Sequence, residues 1–141
     1  MAVYEKFDQF IEDAFEGVHN LQSDTLKVML TNVAPVAGNS VLADLTEIAA
    51  GNGYTAGGAT VAQSLSEQVG GTYKLVIADP TFTAAGGSIG PFQYAVLYND
   101  TPTSPADPLI AWWDYGTSIT ITNGNSFTVD LDQVNGVFTA A

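Results

Sequence analysis

Phe92-Gln93-Tyr94-Ala95-Val96-Leu97-Tyr98 is the stretch that decides the fold class. Alternate side chains of an extended chain point to opposite faces, so Phe92, Tyr94, Val96 and Tyr98 fall on one side and Ala95 and Leu97 on the other. Apolar residues on both sides predict a central strand that is covered on both faces. Leu109-Ile110-Ala111-Trp112-Trp113-Asp114-Tyr115 reads as a second strand of the same kind. Residues 99–108 (NDTPTSPADP) lie between them and predict an exposed loop.

Working outward, the same period of two recurs. Leu26, Val28 and Leu30 alternate with Lys27, Met29 and Thr31, which predicts a strand. Residues 59–65 and 72–78 predict two more, separated by Gly70-Gly71. The second is expected to run on past Pro80 through Thr81-Phe82-Thr83, with Pro80 at an edge or a bulge. Residues 33–40 form a turn region and the glycine-rich residues 51–58 a loop or bulged edge. Residues 41–50 read as either a short helix or an irregular strand. Near the end, Ile119 and Ile121 face a second alternating run, Phe127, Val129 and Leu131, across Asn123-Gly124-Asn125. A three-residue loop there would pair Ile121 with Phe127 and keep the apolar side chains on one face. Val137-Phe138-Thr139 suggests a short terminal strand.

The amino-terminal part has a different period. Val3, Phe7, Phe10, Ile11, Ala14, Phe15 and Val18 follow a 3.6-residue repeat, with Glu5, Asp8, Glu12, Asp13 and Glu16 on the other face. This predicts an amphipathic helix within residues 1–20, ended by Gly17 and His19-Asn20. The expectation is a single domain, residues 1–141. It is mainly β, a β-sandwich or jelly-roll-like domain of about eight short strands over residues 24–141, preceded by that helix.

Charge narrows the possible partners. Fifteen Asp and Glu stand against Lys6, Lys27 and Lys74, for a net charge of −12. Phosphate backbones and anionic lipid surfaces repel such a chain, so neither nucleic acid nor membrane is expected as a partner. A basic protein is. The absence of Cys rules out disulfides and thiolate metal sites. The acidic amino terminus has no apolar core of a signal peptide, and no apolar run is long enough for a membrane helix.

Few residues suggest chemistry, and no enzyme, cofactor or metal is expected. His19, the only histidine, would have to be the base of any hydrolytic triad, but it reads more simply as a cap at the helix end. Asp114 sits between Trp113 and Tyr115, a setting that could suit sugar hydrolysis, although the aromatics read more simply as core or interface anchors. Asp130, Asp132 and Asn135-Gly136 resemble a calcium loop only faintly, because the alternation fails at Val134 and no glutamate follows. Gly51-Asn52-Gly53 with Gly57 lacks the dinucleotide spacing.

Three segments carry a resemblance. The first is His19-Asn20-Leu21 followed by residues 24–32 (DTLKVMLTN). The second is residues 42–54 (LADLTEIAAGNGY), and the third is residues 91–100 (PFQYAVLYND) with Trp112-Trp113-Asp114-Tyr115-Gly116. Together they resemble a family of small structural proteins encoded among the head and tail genes of tailed bacteriophages. The resemblance implies a virion component assembled in the host bacterial cytoplasm. Between a tail, tip or fibre part and a capsid decoration (cement) protein, small size and acidity favour decoration. The implied partners are the major capsid protein and copies of the chain itself, as a homotrimer. Exposed aromatics would then be the anchors, with Phe7, Phe10, Phe15 and Tyr54 as candidates. A carbohydrate-binding module that stacks sugars on Trp112, Trp113 or Tyr115 is the alternative from a different class.

Overall fold

The computed structural model describes residues 2–141. Its strands are β1 (Val3–Lys6), β2 (Leu26–Thr31), β3 (Ala59–Val61), β4 (Gln63–Val69), β5 (Thr72–Ile77), β6 (Thr81–Thr83), β7 (Ile89–Asn99), β8 (Leu109–Ile121), β9 (Ser126–Thr128) and β10 (Phe138–Ala140). The single α-helix among the described residues is α1 (Gln9–Phe15), and a 3-10 turn covers Leu42–Asp44. Every strand pairing among them is antiparallel. The sheets run β1-β8-β7-β2-β3, β10-β5-β4 and β6-β9. The fold is mainly β, as the alternation predicts.

β7 lies in the middle of the five-stranded sheet and is covered on both faces. On one face Val28, Leu30, Ala95, Leu97 and Trp113 join the main core, with Leu75 and Ile77 of β5, Phe82 of β6 and Phe10 of α1. On the other, Met29, Val96, Tyr98, Leu109 and Trp112 form a smaller cluster with Phe7, Leu42 and Leu45. Fully burying each large apolar side chain contributes about 1.5–3 kcal/mol.

The amino terminus departs from the expected helix. Val3–Lys6 pairs with β8, Tyr4 opposite Trp113, and only Gln9–Phe15 is helical. The free edge of β8 supplies backbone partners to β1, and Tyr4 packs edge-on to Trp113 at 5.6 Å. A β-branched and an aromatic residue suit that pairing better than a first helical turn. The helix stops where Gly17 takes φ +81 and the Val18 N–H donates to the Asp13 carbonyl at 2.9 Å.

The expected carboxy-terminal hairpin does not form. Ile119 and Ile121 pair with Phe92 and Ile89 of β7, so β8 is already occupied. The chain turns at residues 122–125, where the Asn125 N–H donates to the Thr122 carbonyl at 2.9 Å. It then pairs β9 with β6, Phe127 opposite Phe82. Hydroxyl pairs Thr81–Thr128 (2.8 Å) and Thr83–Ser126 (2.7 Å) line the outside. In this register Phe127 sits 5.2 Å from the Phe92 ring and 5.3 Å from Tyr115.

Pro80 interrupts the strand that the sequence predicts through it. β5 ends at Ile77, and β6 belongs to another sheet. Pro80 has no N–H for a ladder, and its carbonyl accepts from Val129 at 2.9 Å instead. Residues 41–50 are neither a regular helix nor a strand. Beyond the 3-10 turn they run irregularly, and the Asp44 carboxylate accepts from the Ser40 and Val41 N–H groups at 2.9 and 3.2 Å.

A buried network holds residues 51–58. The Tyr54 hydroxyl accepts from the Leu30 N–H at 3.0 Å and donates to Glu47 at 2.7 Å. The same Glu47 oxygen accepts from the Gly57 N–H, whose carbonyl accepts from Tyr98. Tyr54→Phe would leave the Leu30 N–H of β2 and the Glu47 carboxylate without their partner, so we expect a loss of about 1–3 kcal/mol in urea unfolding. A loss under about 0.3 kcal/mol would mean that the network does not hold the loop.

Candidate functional site

Three of the four proposed anchors are not on the surface. Phe7 and Phe10 are completely buried, Phe7 against Trp112 at 4.5 Å and Phe10 against Phe138 at 4.9 Å. Tyr54 is buried in the network above. The shortened helix explains the correction: Phe7 precedes it and Phe10 points into the core, so the Phe residues do not share one open stripe. Phe15 alone is exposed, at 86%.

Phe15 borders a groove of about 690 Å³, which lies between α1 with the chain after it and the β10-β5-β4 sheet. Ile11, Ala14, Phe15, Leu21, Tyr73 and Phe138 give it apolar walls. The Tyr73 hydroxyl is 2.8 Å from Ser66 Oγ at its border.

His19 lies in the wall of the same groove but is a structural residue, not a helix cap. Its Nδ1 is 3.0 Å from Asn99 Nδ2, and that amide also donates to Asp24 at 2.7 Å. The Asn99 oxygen accepts from the Thr101 N–H at 3.1 Å, which fixes the amide's orientation. An amide nitrogen only donates, so Nδ1 must accept and the imidazole proton sits on Nε2. Nε2 and Asp13 Oδ2 are both buried without a hydrogen-bond partner among the described residues. Burial lowers the His19 pKa, and the nearby Asp13 and Asp24 partly oppose that.

This geometry sets a pH dependence. The unfolded chain takes up the proton near pH 6.5 and the folded chain only at lower pH. This contribution to stability is therefore present above pH 6.5 and is lost as pH falls through 6.5 toward the lower folded-state value. His19→Gln should flatten this interval in thermal unfolding. A wild-type profile that is level or rising on acidification would refute the assignment.

No family model, curated protein or solved structure matches the chain. The remaining candidates rest on their own geometry. Asp114 accepts from Gln93 Nε2 at 3.0 Å and from the Gly116 N–H at 2.7 Å, which fixes an irregular part of β8. Asp132 accepts from the Val134 and Asn135 N–H groups at 2.9 and 2.7 Å, capping its own turn. Trp112 and Trp113 are both buried, so neither indole presents an open face to a sugar ring. Tyr115 is half-buried against Phe92 and Phe127.

The groove itself has no signal in the sequence. Leu21, Tyr73 and Phe138 are brought together by the pairing of β10 with β5 and the packing of α1. Of its apolar wall, Phe15 alone stands out in the sequence, as a candidate exposed aromatic on the predicted helix.

Proposed function

We propose that the chain is a structural component of a bacteriophage virion, a capsid decoration (cement) protein that binds the major capsid protein between capsomers. The resemblance described above is the basis, and one structural observation supports it: Phe15, 86% exposed, beside an apolar groove. A well-packed chain gains nothing for its own folding from an aromatic left in water, whereas a partner can cover it. The negative charge favours a partner with basic surfaces, and many copies would multiply modest contacts. In this reading the smaller sheets form the second layer of a sandwich over the five-stranded one.

The test uses purified phage heads that lack the protein. Wild-type chain should co-sediment with them, and Phe15→Asp should bind about tenfold more weakly with an unchanged melting temperature. Equal binding by both chains would remove Phe15 from the interface. Binding to tails and not to heads would replace decoration with a tail role.

A further inference from the structure

We propose that a second cleft, formed by Tyr4 of β1, Trp113 and Tyr115 of β8 and Asp130, receives one cationic side chain, Lys or Arg, from a basic segment of a partner protein. The cleft encloses about 520 Å³. Tyr4 is 40% exposed and stands edge-on to Trp113, so its ring is available to a ligand while Trp113 closes the floor. A cation over such aromatic rings is held by their negative faces, and a carboxylate at the rim adds direct charge pairing.

The acids around the cleft have unequal commitments. Asp132, which also lines the cleft, is occupied by its turn, where it accepts from the Val134 and Asn135 N–H groups. Asp130 is exposed and forms no hydrogen bond or ion pair with another described residue. Burial, with smaller contributions from Asp130 and Asp79, pushes the Tyr115 hydroxyl up to about 12, and Asp130 lines the cleft together with that ring. Burial likewise holds Tyr4 up to about 12, so neither phenol adds a competing charge near neutral pH. Among the described residues, no Lys lines the cleft.

A saccharide fits less well. Stacking a sugar ring needs a broad aromatic platform, but Trp113 is only 7% exposed, whereas one cation can use the exposed part of Tyr4 together with a carboxylate. Any partner with an exposed basic segment would serve, inside a virion or outside one.

The experiment is a two-dimensional NMR titration of the full ¹⁵N-labelled chain with acetyl-Gly-Arg-Gly-amide. We expect saturable shifts at the Trp113 indole N–H and at the Tyr4, Tyr115 and Asp130 amides. Asp130→Asn, an exposed and nearly isosteric change, should weaken binding about two- to fivefold. Glu16→Gln, on the turn after α1, should leave it unchanged. Equal shifts from the neutral acetyl-Gly-Gln-Gly-amide, or equal affinity in Asp130→Asn, would overturn the proposal. So would stronger perturbation of the same residues by maltose, which would make the cleft a saccharide site.

Discussion

Gly58→Ala should destabilise the protein severely. Gly58 has φ +83, and a Cβ there would lie 2.0 Å from the Val28 carbonyl oxygen and 2.7 Å from Met29 Cα. Both are backbone atoms of β2, which is hydrogen-bonded on both sides, to β7 and to β3. Neither can yield without opening the five-stranded sheet. We expect a loss of more than about 4 kcal/mol, a large part of the roughly 5–15 kcal/mol that holds a typical domain together. Gly124→Ala is the matched control. Its φ is +88 but nothing lies within 4 Å, so only the left-handed backbone cost of about 1–2 kcal/mol applies. Urea unfolding followed by near-ultraviolet circular dichroism separates the two. Similar losses in both variants would mean that close approach to β2 is not what requires glycine.

The second large effect belongs to Phe10. Its ring is fully buried, 4.9 Å from Phe138 and 5.2 Å from His19, and it ties α1 to the core. Phe10→Ala should cost about 3–5 kcal/mol, the lost transfer energy plus the cavity left behind. Phe15→Ala, on the same helix, should change stability by no more than about 0.5 kcal/mol. This contrast distinguishes a core helix from a surface-docking one. Comparable, small losses at both positions would mean that α1 is not packed as described.

The strands with the clearest period are readable in the sequence. β2, β7 and β8 carry enough alternating apolar residues to fix their faces, and two-sided apolarity marks β7 as central. The glycine-rich loop at residues 51–58 is also visible, because few alternatives tolerate such backbone freedom. What escapes is decided by partners distant in sequence. Val3–Lys6 has a helical period, but the free edge of β8 offers it backbone partners. Ile119 to Leu131 has a hairpin period, but β7 takes the place beside β8, which sends Phe127 to Phe82. Helix capping at His19 is a local reading, whereas its actual partner, Asn99, lies at the far end of β7. The groove and the cleft are likewise products of tertiary assembly. No single stretch could announce them, although the surplus aromatics Phe15 and Tyr4 are their visible parts.

If the apolar and aromatic side chains serve folding and attachment to a virion shell, the chain belongs in the particle. Quantitative mass spectrometry of density-purified phage particles, from a host whose genome encodes the chain, decides this. The expected result is that the chain is present in copy numbers proportional to the major capsid protein. Its absence from the particles, with all of it recovered free in the lysate, would contradict a virion role.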